Sequence, residues 1–384
     1  MANTLTGLVP EIYAALDVVS RELVGFIPSV SRNSGAERAA VGELVRYPVV
    51  PAITSSPVTP SMTIPTPANI TVPSDTMAIT NMEAAQVAFT GEEIKGLNNG
   101  PGFLSIQAQL IAQGLRTITN KIEADLAAAA YLGASRAYGT GGTTPFASDL
   151  SGSAQIRKIL DDNGAPASMR SLVIDTTAGA NLRTLQQLSK ANEAGSSMTL
   201  RDGELLNIHG FSVKESAGIR TFTKGTGAGA TTNAAGYAVG ATVITLASAG
   251  TGTIKAGDVI TFAGDTNKYV VASGDADVSG GGTITLAKPG LRVAIPTAAT
   301  AITVGNNYVG NVAFSPDAIH LVARPIALPN GGDAATDRMM ITDPRSGMSY
   351  EFAIYQGYKM NFMEISLAWG VKAAKPEHIA TLLG

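Results

Sequence analysis

The three histidines, His209, His320 and His378, are the side chains best suited to proton transfer or metal binding. A zinc site or a metal-dependent hydrolase usually shows a short helical spacing such as His-x-x-x-His, or a carboxylate at ligand distance in the chain. None of the three histidines stands in such a pattern. We therefore predict that each is a structural or surface histidine.

Two pairs of aspartates are the next candidates for chemistry. Asp161 and Asp162 precede an Asn-Gly turn at the end of a predicted helix, where solvated carboxylates are common. Asp275 and Asp277 lie in a glycine-rich turn that offers too few alternating oxygen ligands for a calcium loop. The sequence therefore predicts surface carboxylates at both places.

A glycine run at 225–229 (GTGAG) superficially resembles a phosphate-binding loop. No Gly-Lys-Ser/Thr follows it and no strand-to-helix pattern surrounds it, so we interpret the run as a flexible hinge. No Gly-x-Ser-x-Gly elbow occurs. Because the chain has no cysteine, thiolate catalysis, disulfides and Cys-based zinc sites are excluded. The sequence predicts no catalytic, cofactor-binding or metal-binding residue, and a protein that is not an enzyme.

The composition is typical of a subunit whose surface is partly covered by other protein chains. Of the 384 residues, 45% are apolar and only 15% are charged, whereas a soluble monomer has roughly 25% charged residues. This low share of charge predicts an oligomer of two- or three-domain subunits. The net charge of −3 and the lack of a basic block argue against tight nucleic-acid binding. The start, MANTLTGLVPEIYAAL, does not have the pattern of a signal peptide.

Two long segments, residues 47–74 and 225–254, carry no charge. The first contains seven prolines and the second is rich in glycine, threonine and alanine, so neither is predicted to cross a membrane as a helix. Each proline removes a backbone donor and favours an extended predecessor. The first segment is therefore predicted to be a long extended arm or loop.

Helical spacing of apolar residues is clearest in two segments. Residues 8–27 predict an amphipathic N-terminal helix. Residues 105–138 predict a helix of about 50 Å that ends at a group of glycines. Shorter predicted elements are helices at 154–162 and 178–190, strands at 77–89 and 171–175, and two strands within 204–215 around His209-Gly210.

The composition changes at about residue 222. From 222 to 310 the chain is dominated by glycine, alanine, threonine and valine with frequent turn signals, which is typical of a small β-barrel. Since mixed patterns resume after residue 311, we interpret 222–310 as an inserted all-β domain. The predicted strands are 241–246, 258–262, 268–272 and 283–286 in this region, and 319–323, 350–356 and 361–369 in the closing block, which has a hairpin turn at 345–347.

Four segments together carry a resemblance to a known family. They are LVPEIYAALDVVSRELVGFIPSVSR at 8–32, GELLNIHGFSVKES at 203–216, NVAFSPDAIHLVARP at 311–325 and the tail YEFAIYQGYKMNFMEISLAWGVKAAKPEHIATLL from residue 350. In this order, and with the proline-rich segment and the long helix between them, the chain resembles the major capsid proteins of tailed double-stranded DNA bacteriophages. These proteins have the Hong Kong ninety-seven fold, and the resemblance is to the short-tailed branch with an inserted domain.

The resemblance implies an α+β capsid fold and a division of the chain into five parts. The parts are an N-terminal arm at 1–35, an E-loop and peripheral domain with a spine helix at 36–149, a first part of the axial domain at 150–221, the barrel-like β-insertion at 222–310, and the second axial part with the return to the peripheral domain at 311–384. The implied function is self-assembly into hexamers and pentamers of an icosahedral shell around packaged DNA.

The same resemblance implies partners and a location. The shell would assemble in the host bacterial cytoplasm with a scaffolding protein and a portal, become part of the virion, and involve no membrane. Some capsids of this fold join subunits by an isopeptide bond from a lysine in the E-loop. Here the first lysine is Lys95, so residues 46–80 offer no amine. The resemblance therefore implies a lattice without covalent links between subunits.

Three other functions stay open at this point. An encapsulin-type nanocompartment would use the same fold, although the inserted β-domain and the N-terminal arm favour the phage shell. A β-rich surface adhesin is suggested by the Gly/Thr-rich middle, but the long helix argues against it. An enzyme is the weakest alternative, because no constellation of catalytic residues is present.

Overall fold

The computed structural model describes residues 24–35, 37–48, 74–98, 103–189, 207–342 and 347–384, with single positions between 55 and 72. Helices and strands occur together in these residues, which confirms the predicted α+β class. The helix predicted at 8–27 lies almost entirely outside the described residues. Most of the hairpin turn predicted at 345–347 lies outside them as well.

The described residues form five α-helices. They are α1 (Gly91–Asn98), α2 (Phe103–Leu132), α3 (Ser151–Asp162), α4 (Thr176–Thr184) and α5 (Gln186–Ser189). Short 3-10 turns occupy Val278–Gly280, Pro316–Ala318 and Pro376–His378. In this part of the chain no helix combines the length and the apolar character that crossing a membrane requires.

The strands are named in chain order. They are β1 (Ser31–Ser34), β2 (Leu44–Pro48), β3 (Ser74–Ala78), β4 (Asn81–Thr90), β5 (Arg136–Gly139), β6 (Ser171–Ile174), β7 (Ser212–Glu215), β8 (Thr221–Phe222), β9 (Val243–Leu246), β10 (Val259–Phe262), β11 (Lys268–Ser273), β12 (Gly282–Leu286), β13 (Ile302–Val304), β14 (Tyr308–Phe314), β15 (Ile319–Arg324), β16 (Ala335–Thr342), β17 (Ser349–Gly357), β18 (Met360–Ala373) and β19 (Ile379–Leu383).

The long helix α2 buries the apolar stripe that its sequence spacing predicts. The buried stripe residues are Ile111, Leu115, Ile118, Ile122 and Leu126. With 30 residues, the helix spans about 45 Å. It ends at Leu132, earlier than the predicted residue 138, because the chain turns at Gly133 and forms β5 in parallel with β19. A Cβ at Gly133 would lie 2.3 Å from the Cβ of Ala373, so the turn passes close against β18.

The first sheet is built around the long strand β18. Strand β4 pairs along one edge of β18, and β15 and β17 pair along the other edge. Beyond them, β1 joins β15 in parallel and β16 joins β17. Side chains of α2, of this sheet and of strands outside it, such as Val312, Phe314 and Ile379, form the largest apolar core. Trp369, the only tryptophan, is buried on β18, and its Nε1 donates a hydrogen bond to Asp125 of α2 at 2.9 Å.

The second sheet has 11 strands, with the path β13-β10-β11-β5-β19-β14-β6-β7. Strands β12 and β8 pair with β11 and β14 beside this path, and β9 pairs with β12. Helix α3 packs on the sheet and contributes Ile156 and Leu160 to a second core with Leu172, Phe211 and Leu382. The sheet therefore gathers strands from residue 136 to the C-terminal end of the chain.

Residues 222–310 have an apolar core of their own, as the alternating pattern predicts. It includes Ile244, Ile260, Val271, Ile284 and Leu291. The region is nevertheless continuous with the second sheet, because β11 pairs antiparallel with β5. Within the region, the Tyr308 hydroxyl at the start of β14 donates to the carbonyl oxygen of Gly257 at 2.8 Å. A link between β11 and β5 is not part of the sequence prediction.

Three other predicted elements differ in extent from those observed. Residues 77–89, predicted as one strand, form parts of β3 and β4. The helix predicted at 178–190 begins at Thr176, because the Asp175 carboxylate accepts hydrogen bonds from the N–H groups of Thr177 and Ala178. It is interrupted at Leu185, whose backbone is extended. Within 204–215 the described residues form β7 and an isolated bridge between Ile208 and Phe211.

Candidate functional site

His209 lies in a turn that is hydrogen-bonded to helix α3. Its backbone has a φ of 49°, in the left-handed region, and Gly210 follows with a φ of 79°. The Nδ1 atom of His209 lies 2.8 Å from the hydroxyl of Ser153, and Arg157 donates to the His209 carbonyl oxygen at 2.8 Å. Because Ser153 is fully buried and also bonds the carbonyl oxygen of Leu150, this pair does not present an accessible nucleophile.

The two other histidines lie where the two sheets meet. His320 stands on β15, with its ring centroid 5.0 Å from that of Tyr47. His378 ends the turn Pro376–His378. Throughout the described residues, no three metal-ligating side chains come together.

The aspartate pairs serve local structure. Asp161 pairs with Arg170 at 2.7 Å, and Asp162 with the buried Arg136 at 3.5 Å. Asp275 accepts the N–H of Asp277 at 2.8 Å, and Asp277 in turn caps the turn Val278–Gly280. Each carboxylate therefore has a structural role within the chain.

The glycine run at 225–229 packs closely against residues 251–253, and a buried carboxylate holds its start. Asp258 is fully buried and accepts the N–H of Gly225 at 2.9 Å and that of Lys255 at 2.7 Å. A Cβ at Gly225 would lie 2.2 Å from the carbonyl oxygen of Thr253. The run thus fixes the entry into the β-rich region, and it does not form the flexible hinge that the sequence predicts.

A second buried carboxylate, Glu123 of α2, anchors the segment 24–30. It accepts the backbone N–H groups of Gly25, Phe26 and Ile27 at 2.7, 2.8 and 3.1 Å. The hydroxyl of Ser216 donates to it at 2.6 Å. Burial raises the pKa of Glu123, although each of these hydrogen bonds favours the ionised form. The segment is therefore fixed to the middle of the long helix through its backbone.

Close packing supports this anchor. The rings of Phe26 and Phe314 stack with centroids 5.9 Å apart. Lys214 donates to the hydroxyl of Ser29 at 2.8 Å. A Cβ at Gly25 would lie 2.6 Å from Val173, so a larger residue there would displace the segment. These contacts fix residues 24–30 against the body of the protein.

Strands β2 and β3 form a two-stranded ribbon separate from both large sheets. The connection between them, residues 49–73, is the proline-rich segment, and its described apolar side chains are exposed. Exposed side chains of the ribbon and its connection are Leu44, Val58, Met62, Ile64, Ile70 and Val72. Val58 and Met62 have essentially no neighbours, with relative exposures of 95% and 106%. Such apolar exposure marks a surface that another protein covers.

Asp75 and Lys372 attach the ribbon at the end from which its connection leaves, the Tyr47–Asp75 pair, which we call the ribbon root. Asp75 accepts hydrogen bonds from the Tyr47 hydroxyl at 2.6 Å and from Lys372 of β18 at 2.7 Å. Lys372 also donates to the carbonyl oxygen of Thr76 at 2.8 Å. The bond from Lys372 and the bond from Tyr47 lower the pKa of Asp75 to about 2. Burial and the bond to Asp75 raise the pKa of Tyr47.

An ion-pair network fixes the chain between β1 and β2. Both Nη atoms of Arg38 donate to the buried carboxylate of Glu351, at 2.9 and 2.8 Å. Arg338 donates to the same carboxylate at 2.7 Å. The N–H of Ala39 bonds the carbonyl oxygen of Pro325 at 2.9 Å. The first sheet thus holds both the ribbon root and the residues that lead from β1 into the ribbon.

The face of the first sheet that is turned away from α2 carries both apolar and charged side chains, among them Glu364, which accepts a hydrogen bond from Gln86. On β4 the residues alternate, so that Met82 and Ala88 are exposed while Val87 packs toward the core. Tyr355 and Phe362 stack on the same face with centroids 4.6 Å apart. Together with the ribbon, this face is a second candidate contact surface.

Comparison with known proteins addresses the fold. The capsid structure of the cyanophage P-SCSP1u matches with a TM-score of 0.50 at 13% identity, covering 92% of this chain and 86% of that one. The chain has a phage capsid fold. Weaker similarity extends to a chain of Mycobacterium phage Che8 (TM-score 0.45, 12% identity, 90% and 88% covered) and to a virus-like particle from Pyrococcus furiosus (0.41, 9%, 97% and 98%). No protein-family model matches the chain, and no curated protein does.

The anchoring residues are the part of the site that the sequence analysis missed. Glu123 offers a signal, because it stands at the four-residue spacing of Leu115 and Thr119, which are buried on α2. A carboxylate inside an apolar stripe must find donors. Asp75 and Lys372 offer no comparable signal, since they are far apart in the chain and partly exposed.

Proposed function

We propose that this chain is the shell-forming subunit of a tailed double-stranded DNA phage, a structural protein that assembles into hexamers and pentamers of an icosahedral capsid. The observation that carries the proposal is the ribbon β2–β3, whose connection exposes apolar side chains on a chain with a phage capsid fold. Exposed valine, methionine and isoleucine side chains stabilise the protein only when another surface removes them from water. Neighbouring copies of the same chain would supply that surface.

The five parts of the chain follow from the same proposal. Residues 1–35 would be the N-terminal arm, and 36–149 the E-loop with the peripheral domain and its spine helix, α2. Residues 150–221 and 311–384 would form the axial domain and the return to the peripheral domain. Residues 222–310 would be the inserted β-domain of the short-tailed branch. Their separate core and the change in composition support the insertion, and the pairing of β11 with β5 would dock it on the body.

The proposal also assigns partners and a place. The subunit would assemble in the host cytoplasm with a scaffolding protein and a portal, and then form part of the virion. A net charge of −3 and 15% charged residues suit a shell that lies near packaged DNA without binding it tightly, because such binding requires clustered cations. The subunit would carry out no catalysis and need no cofactor.

The ribbon surface can be tested by a pair of matched double substitutions. Met62→Gln with Ile64→Gln removes apolar area from the ribbon's connection. Met169→Gln with Val239→Gln makes similar changes at two exposed apolar residues outside it. We expect the ribbon variant to fold normally. Its association constant for assembly should fall by at least about tenfold for each side chain, since covering each contributes roughly 1.5–3 kcal/mol.

Electron microscopy and sedimentation of the expressed chain measure assembly, and circular dichroism measures folding. Closed shells from the unchanged chain, few from the ribbon variant and normal numbers from the control support the proposal. Equal shell yields from all three chains contradict the role of the ribbon. Failure of the unchanged chain to form particles with any neighbouring phage gene product contradicts the shell function itself.

A further inference from the structure

Two short connections run side by side between the two sheets. Residues 315–318 lead from β14 of the second sheet to β15 of the first, and residues 374–378 lead from β18 back to β19. The N–H groups of Ala374 and Lys375 both donate to the carbonyl oxygen of Ala318, at 2.7 and 3.2 Å. We call these two connections, residues 315–318 and 374–378, the crossover joint.

The joint is bordered by strand pairs on both sides. Phe314 pairs with Ile379 in the second sheet, and Ile319 pairs with Ala373 in the first. Each connection is only a few residues long, and each contains a proline-initiated 3-10 turn. The two connections are therefore confined between paired strand ends, and the two sheets also share one apolar core around α2.

His378 lies inside the joint. Its Nδ1 atom is buried and has no hydrogen-bond partner among the described residues. Burial lowers the pKa of His378. Among the charges that face it, Glu377 and Asp317 raise the pKa, and Lys375 and Arg170 lower it.

His320 lies directly after the joint, on β15. It packs against the Tyr47 ring, and the strand register places it opposite Lys372. Burial lowers the pKa of His320, Asp317 raises it and Lys375 lowers it. Lys372 itself sits 5.6 Å from the Tyr47 ring centroid and pairs with Asp75. The same two charged residues, Asp317 and Lys375, thus influence both histidines.

We propose that the crossover joint is an acid-sensitive hinge, in which proton uptake by His320 and His378 weakens the packing of the two connections. A proton on Nδ1 of His378 would be a buried donor without an acceptor, which is unfavourable. A charged His320 would sit between the first sheet and the ribbon root, close to the ammonium of Lys372. The inference concerns the single chain and does not depend on shell formation.

The direction of the pH effect follows from these pKa shifts. A histidine whose pKa is lower in the closed joint than in the open one binds protons more tightly when the joint opens. Closure is therefore fully stabilised above the ordinary histidine pKa of about 6.5, and this stabilisation is lost as the pH falls toward the lowered values. For every unit of depression, protonation shifts the equilibrium toward opening by about tenfold.

Hydrogen exchange of the unassembled full-length chain tests the hinge. Exchange in peptides from 311–324 and 370–384 is compared between about pH 8 and pH 5, after correction for the intrinsic pH dependence of exchange. We expect protection there to fall about tenfold on acidification, and protection in α2 to change little. His209→Gln is the matched control, because His209 is exposed and lies outside the joint. It should behave like the unchanged chain, whereas His320→Gln and His378→Gln should each reduce the pH dependence.

Unchanged protection on acidification, or loss of the pH dependence in His209→Gln, overturns the hinge. If a variant with a substitution in the crossover joint does not fold, a second measurement tests the proposal on the unchanged chain. The imidazole signals of the unchanged chain are titrated by NMR, and those of His320 and His378 should titrate below the ordinary histidine pKa of about 6.5. Titration of both at or above that value would overturn the proposal as well. Either failure leaves the shell function untouched, since no particle enters these measurements.

Discussion

Glu123 and Asp75 both attach a segment to the body of the protein, but they do so in opposite ways. Glu123 is buried and holds segment 24–30 through three backbone N–H groups. Asp75 is partly exposed and holds the ribbon root through the side chains of Tyr47 and Lys372. Burial raises the pKa of Glu123, whereas the bond from Lys372 lowers that of Asp75 to about 2.

The two attachments differ in how easily water can replace their hydrogen bonds. Backbone donors around a buried carboxylate cannot turn to water without unfolding the segment, so removal of Glu123 leaves several buried groups unpaired. Side-chain donors at the surface can exchange their partners for water at small cost. We infer that the hydrogen bonds of segment 24–30 are harder to replace than those of Asp75, although apolar contacts of Val45 and Tyr47 also hold the ribbon on the first sheet.

The largest expected effect is that of Glu123→Ala. The three N–H groups and the Ser216 hydroxyl would lose their acceptor, so we expect the free energy of unfolding to fall by about 3–5 kcal/mol. Urea denaturation followed by circular dichroism measures this change. Glu92→Ala, at an exposed position of α1, is the control and should cost less than about 0.5 kcal/mol. A loss at Glu123 as small as that of the control would remove the distinction between the two anchors.

A smaller effect is expected at the ribbon root. In a double-mutant cycle of Asp75→Asn and Lys372→Gln, we expect a coupling of about 0.2–1 kcal/mol, because both side chains are substantially exposed. Since the folded pKa of Asp75 lies below its ordinary value, this contribution is present above about pH 4 and disappears as the pH falls toward 2. Unfolding measured at about pH 6 and pH 3 checks both statements. A coupling comparable to the Glu123 effect would make the ribbon root a rigid anchor too.

The smallest expected effect concerns covalent chemistry at the ribbon. Because the first lysine is Lys95 and the chain has no cysteine, residues 46–80 cannot supply an amine or a thiol. Particles boiled in detergent and reducing agent should therefore run as one band near 39 kDa. A ladder of larger species would indicate a covalent link between subunits, and Lys95→Arg would be the first variant to examine.

Local sequence patterns predict the long helix and most strands well. The apolar stripe of α2 has the helical period, and its residues Ile111, Leu115, Ile118, Ile122 and Leu126 are buried. The four strands predicted within residues 222–310 lie within one or two residues of their predicted bounds, for example β10 and β12, whereas β13 is not predicted. The period of the apolar residues shows which face of a helix or strand is buried, and each of these elements buries one face.

Contacts between distant segments are the part that the sequence does not reveal. The pairing of β11 with β5 joins residues 268–269 to 136–137. The sequence of neither strand indicates which strand it pairs with. The end of α2 at Leu132 depends on the parallel pairing of β5 with β19, which overrides local helix propensity. Whether residues 222–310 fold alone stays a prediction, and circular dichroism and melting of that fragment would test it.

The position of Trp369 gives the protein a built-in optical reporter. As the only tryptophan, it accounts for all indole emission of the chain. Its ring nitrogen bonds Asp125 of α2, and its carbonyl oxygen accepts the N–H of Thr80 between β3 and β4. Any rearrangement that separates the long helix, the strand β18 and the residues between β3 and β4 would change the solvent around one fluorophore. Emission wavelength and quenching by iodide therefore follow this junction without an added label.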